Sequence, residues 1–122
     1  MDELQKKIVD YVEANGKTYQ QIALEIHEKP EVSNYEFFAS KRLADQIKSV
    51  GFEVEMPAAG HRTGFAASYK SGKPGPVMVF LAEYDALPGL AQEPVSRHCP
   101  KEGPGHGCGH NLLGTACAGA AV

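Results

Sequence analysis

No stretch of this sequence approaches the run of about 20 apolar residues that a membrane-spanning helix needs, so a membrane is not among the expected partners. Positive charge is not in excess either. Twelve Lys and Arg stand against 15 Asp and Glu, a net charge of -3, which offers no electrostatic case for nucleic acid. The opening Met1-Asp2-Glu3-Leu4-Gln5-Lys6-Lys7 lacks the basic-then-apolar pattern of a secretion signal. Cysteine is scarce: there are three, an odd number, with no Cys-x-x-Cys among them. A disulfide framework and a thioredoxin-like redox role are disfavoured, and a reducing, cytoplasmic location with free or metal-bound thiols is expected. Internal repeats, low-complexity stretches and any Glu-Glu pair are absent.

What is present suits one globular domain. The chain has 122 residues, 43% hydrophobic and 22% charged, enough to bury a core. Leu4, Ile8, Val12, Tyr19, Ile22, Ala23 and Ile26 recur at helical spacing and predict a helix over residues 2 to about 28. Asp2 and Gln5 suit a capping box, Asn15-Gly16 weakens the middle, and Pro30 ends the helix. Ser33-Asn34-Tyr35-Glu36 reads as a second capping box. It opens a helix to about residue 50, with Phe37, Phe38, Leu43, Ile47 and Val50 on the apolar face and Gly51 as the stop. Residues 52–56 and 65–69 alternate like half-exposed strands. The loop between them holds His61 and Arg62. Both are candidates for touching an anionic substrate, with a plainly solvated loop the stronger reading. After the turn at 71–75, residues 77–82 are continuously apolar, as in a strand buried on both faces. The short link predicts antiparallel pairing of this run with the strand before it.

Glu83-Tyr84-Asp85 follows that run at once. Open α/β sheets build their sites at the C-terminal ends of strands. Residues two apart on a strand share a side, so Glu83 and Asp85 can together ligate a metal, orient a ligating His or move a proton. Edge residues facing water are the equal alternative. A Pro-rich polar loop over 91–104 then leads into Gly105-His106-Gly107-Cys108-Gly109-His110-Asn111-Leu112-Leu113-Gly114-Thr115. In an extended segment His106, Cys108 and His110 face one point, and thiolate and imidazole are the usual ligands of zinc and related ions. A structural set of Cys99, His106, Cys108 and His110 is open as well. A small-residue helix is predicted from Asn111 to the end, in which Cys117 reads as packing.

Two motifs now stand together: Ala82-Glu83-Tyr84-Asp85-Ala86-Leu87-Pro88-Gly89-Leu90, and Gly105 through Ala116. They resemble the M20 metallopeptidase and aminoacylase family, in its amidohydrolase branch with a Cys-Gly-His motif. The resemblance implies an α/β fold. This would be the N-terminal part of a mixed-sheet, helix-flanked, zinc-peptidase-like catalytic domain, with about three strands and three helices here. It implies cleavage of the amide bond of N-acyl or aminobenzoyl amino acids or dipeptides, small-molecule substrates, using a divalent metal. Manganese, zinc and cobalt all suit, with two ions in a full site. Carried over residue by residue, it makes Cys108 and His110 metal ligands and Asp85 the catalytic-site carboxylate that orients a ligand. Glu83, Asn111 and His106 fall around them. Family chains run on to a Glu-Glu pair with the general base, further His ligands and a lid domain that makes a homodimer. On this view residues 1–122 are a fragment, inactive alone, that self-associates through an open sheet edge. The alternative is a non-catalytic piece with a structural Cys/His metal site or an assembly role.

Overall fold

Asp2 starts the first helix. Its Oδ1 accepts the Gln5 backbone N–H at 2.8 Å, while Gln5 Oε1 accepts the Asp2 N–H at 2.9 Å. The computed structural model, which describes residues 1–122, then carries α1 (Glu3–Glu28) unbroken through Asn15-Gly16. Asn15 helps by donating from its side chain to the Tyr11 carbonyl at 2.9 Å. Only the second half of α1 meets the core. Ile22, Ala23 and Ile26 are buried, whereas Leu4, Ile8 and Val12 lie exposed although they continue the same stripe. Periodicity shows which face of a helix is apolar; the other elements decide how far along that face is covered.

Helix α2 (Phe37–Ser49) begins differently from the sequence pattern. The predicted box at Ser33 does not form. Asn34 takes a left-handed φ of 69°, which Asn tolerates better than most residues. The Glu36 carboxylate, needed to close the box, is instead drawn inside to the Thr63 hydroxyl. The orphan N–H groups of the first turn are capped from farther off. Glu31 accepts from Phe38 N at 2.9 Å and Ala39 N at 3.0 Å. At the other end Gly51, at φ 98°, turns the chain out of the helix as expected.

β1 (Glu53–Glu55) and β2 (Ala66–Ser68) pair antiparallel, with Val54 opposite Ala67. They are the whole sheet, so there are two strands rather than three. Residues 77–82 are not a buried strand, and β2 pairs with β1 instead of with them. Val77 is 88% and Leu81 83% exposed. A strand buried on both faces needs neighbours on both edges. No other segment of residues 1–122 pairs with this one.

α3 (His110–Ala121) closes the core. Ile22, Ile26, Ala39, Leu43, Ile47 and Ala118 form one buried cluster joining the three helices. Small residues let α3 approach closely. A Cβ on Gly119 would stand 3.5 Å from the Tyr19 ring, and one on Gly114 only 3.1 Å from the Glu83 carbonyl oxygen. Asn111 is buried and donates to the Ala23 carbonyl at 3.1 Å, tying α3 to α1. The fold is thus a small α/β arrangement in which helices carry nearly all the core. No helix is long and apolar enough to cross a membrane.

Candidate metal centre

Two backbone exchanges bring the sequence motifs together. Ala86 N–H donates to the Glu31 carbonyl at 2.7 Å, anchoring the segment after Asp85 beneath the start of α2. Leu87 and Gly105 then bond reciprocally, at 2.9 and 3.0 Å. This pair carries the chain from the first motif to the second while the 91–104 loop folds back on itself. Within that loop Glu93 N–H donates to the Cys99 carbonyl, and Lys101 N–H to the Ala91 carbonyl. Gly105 is obligatory at the crossing, because a Cβ there would overlap the Leu90 carbonyl oxygen and the Ala91 backbone. Gly109, at φ 77°, then turns the chain into α3 and places His110 in its first turn.

His110 ends between two carboxylates. Its Nδ1 lies 2.7 Å from Asp85 Oδ1 and its Nε2 3.3 Å from Glu83 Oε2. The His110 and Asp85 side chains are 17% and 23% exposed, so water screens their contact weakly; Glu83, at 68%, opens the cluster to solvent. An ionised carboxylate can only accept, so Nδ1–H donates to Asp85, and Nε2 faces Glu83 either as an N–H or as a lone pair across a bound cation. A lone pair and a carboxylate at that separation repel unless a proton or a metal ion lies against both. Two ligand atoms on a tetrahedral ion, each about 2.0–2.1 Å from it, stand roughly 3.3–3.4 Å apart. The Nε2–Oε2 separation matches such an edge. Glu83, Asp85 and His110 are the one group of at least three His, Cys, Asp or Glu residues whose ligand atoms converge within 4.8 Å. One carboxylate and the Nε2 of an imidazole that a second carboxylate holds from behind are donors that a divalent ion accepts, so the residues present fit a metal ion.

The other candidates fall elsewhere. Cys108 is exposed and outside the cluster. Cys99 is a half-buried free thiol in the 91–104 loop, so Cys99, His106, Cys108 and His110 are not assembled as one set. Cys117 is half-buried on α3, where its thiol donates to the Leu81 carbonyl at 3.2 Å. His106 is buried, its two ring nitrogens have no hydrogen-bond partner, and the His27 ring is 6.4 Å away. Burial holds its pKa below the usual histidine value.

Sequence reasoning missed a buried network under the site. Thr63, almost wholly buried, donates from its hydroxyl to Glu36 Oε2 at 2.6 Å. Tyr84, between the two cluster carboxylates, donates to the Thr63 carbonyl at 2.5 Å. Burial, reinforced by the Glu36 charge, pushes the Tyr84 hydroxyl up to about 12, so it remains a donor across the ordinary pH range. No local pattern announces these contacts, because the three residues come from separate segments. Above them a cavity of about 370 Å³ is lined by Ser33, Glu36, His61, Thr63 and Tyr84 together with the metal-type cluster.

No family model matches the chain. Curated relatives do. It is 41% identical over 125 residues to one of the subunits of the p-aminobenzoyl-glutamate hydrolase of Escherichia coli, across 100% of this chain and 26% of that protein. It is 36% identical over 101 residues to thermostable carboxypeptidase 2 of Saccharolobus solfataricus, covering 79% of this chain and 25% of the relative. To the hippurate hydrolase of Campylobacter jejuni it is 30% identical over 93 residues, covering 76% and 24%. The homologues are thus hydrolases and peptidases by name, and the chain spans about a quarter of the length of each of these three.

Proposed function

We propose that residues 1–122 form the N-terminal part of the catalytic domain of an M20-type, metal-dependent amidohydrolase. Its substrates are N-acyl or aminobenzoyl amino acids, such as aminobenzoyl-glutamate, or dipeptides. The observation that carries this reading is His110, with Nδ1 on Asp85 and Nε2 facing Glu83 at 3.3 Å. The names of the relatives support the substrate class. In this reading His110 and Cys108 bind metal, Glu83 adds an oxygen ligand, and Asp85 holds the imidazole in the required tautomer. Cys108 lies outside the cluster and joins it as a ligand only in this reading. The whole enzyme holds two divalent ions, dimerises and works in the cytoplasm.

The residues of this chain do three things for the reaction. Asp85 accepts from Nδ1 of His110, which fixes the ring so that Nε2 is the nitrogen turned to Glu83 and to an ion. Tyr84 and Thr63 hold the segment carrying Glu83 and Asp85 against Glu36, which limits reorganisation when substrate arrives. Glu83, open to solvent, lies beside the path by which water and substrate enter. A bound divalent ion would polarise the scissile carbonyl and lower the pKa of water. The general base and the remaining ligands belong to later parts of the enzyme, so residues 1–122 alone are inactive on this reading.

Metal uptake tests the proposal. Zinc titration of the chain is expected to show one stoichiometric site. His110→Ala abolishes it, Asp85→Asn weakens it about 10–100-fold through loss of the orienting partner, and Cys108→Ala also weakens it. Zinc binding unchanged in His110→Ala would remove the basis of the reading. Zinc binding unchanged in Cys108→Ala alone would restrict the ligand set to the carboxylate–imidazole cluster.

A further inference from the structure

His61 faces the same cavity as Glu83, Asp85 and His110, from a separate loop. Three backbone bonds hold that loop: Ala58 N–H to the Gly64 carbonyl, His61 N–H to the Ala58 carbonyl, and Gly64 N–H to the His61 carbonyl, at 2.8–3.0 Å. Two residues on, Thr63 bonds Glu36 and receives Tyr84, the residue between the two cluster carboxylates. The His61 backbone is therefore referenced to the metal-type cluster through one buried network. Its ring lies over Gly64, where an added Cβ would meet His61 Cβ at 3.2 Å and Nδ1 at 3.4 Å. These bonds fix the backbone position of His61, while its side chain is exposed to solvent.

Hydrogen-bonding capacity points the same way. The cavity lining includes three carboxylates, Glu36, Glu83 and Asp85, and two imidazoles. The ring nitrogens of His110 are taken up with Asp85 and Glu83, and Glu36 with the Thr63 hydroxyl. The His61 ring has no such partner. Arg62, its neighbour, is turned to the Phe37 ring at 5.1 Å and does not line the cavity. Among side chains facing the cavity, His61 is the imidazole whose ring N–H has no partner and can donate to an anion.

We propose that His61 is a specificity-determining residue of this site. Its imidazole receives the carboxylate of the amino-acid half of the amide, across the cavity from Glu83, Asp85 and His110. This rests on the amidohydrolase reading and adds the group that selects substrates bearing a free carboxylate.

The test uses the zinc-loaded chain and two probes that cannot be cleaved. These are 3-benzoylpropanoate, in which CH2 replaces the amide NH of an N-acyl amino acid, and its neutral carboxamide. Calorimetry gives affinities, and the His61 ring carbon signal reports contact. The acid is expected to bind His61→Ala about tenfold more weakly than wild type, as loss of a hydrogen bond to a charged group implies. Carboxamide and zinc affinities stay unchanged, and His61→Lys restores the acid. Equal acid affinity in wild type and His61→Ala overturns the proposal and leaves the metal centre standing. An equal loss for acid and carboxamide also overturns it, since that reports a changed cavity. Zinc bound with neither probe retained overturns it too, while a wild-type chain that takes up no zinc overturns both readings.

Discussion

Gly105 joins the two motifs at the scale of a single atom. Its missing Cβ makes room for the Leu90 carbonyl, and its backbone exchanges two hydrogen bonds with Leu87. Gly105→Ala forces backbone against backbone, so no rotamer change relieves it. Overpacking of this kind costs about 3 kcal/mol. Urea unfolding is expected to show a free-energy loss of that size, with weakened zinc binding as Asp85 and His110 lose registration. An unchanged midpoint would mean that the crossing has slack. Residue types offered Glu83 and Asp85 alike as partners for a ligating His, and the family resemblance singled out Asp85 and His110. The contact of Glu83 with the other ring nitrogen depended on how far residue 83 stands from α3, which no residue type states.

At the scale of elements, α2 separates what a motif suggests from what caps the helix. Ser33-Asn34-Tyr35-Glu36 has a capping-box pattern, yet Glu31 accepts the Phe38 and Ala39 N–H groups. Glu31→Ala is expected to cost about 1 kcal/mol, in the range of a lost N-terminal cap, while Ser33→Ala costs within about 0.5 kcal/mol. Chemical denaturation of the two variants side by side checks this, and the reverse order would restore the local motif. The α1 box at Asp2 did form as read, because both of its partners are local and nothing competes for them. The Ser33 box failed because Glu36 found a better partner 27 residues away in Thr63.

For the whole molecule, the segment that matters most is the apolar run at 77–82. Val77, Met78, Val79 and Leu81 are each more than two-thirds exposed. Its backbone groups are not paired into the sheet. Such a segment is a template for another strand. We propose that two copies of residues 1–122 associate there. Sedimentation equilibrium is expected to show mass rising with concentration, and Val79→Lys suppresses the rise by placing a charge in the apolar contact. A monodisperse monomer at high concentration would refute this.

By itself the sequence determined what depends on neighbours along the chain. That covers the stripe and cap of α1, the Gly51 stop, the strand-forming segments at 53–55 and 66–68 though not their pairing, and two motifs whose imidazoles, thiol and carboxylates are metal-ligand types. Tertiary structure decided what depends on distance between segments. It left Leu4, Ile8 and Val12 in solvent, kept residues 77–82 out of the sheet and drew Glu36 inward to Thr63. It also set His110 between Glu83 and Asp85 while leaving Cys108 outside. The physical reason is common to all of these. Helix caps and turns are satisfied within a few residues, whereas burial, strand pairing and ligand convergence require partners that only the packed chain brings within reach.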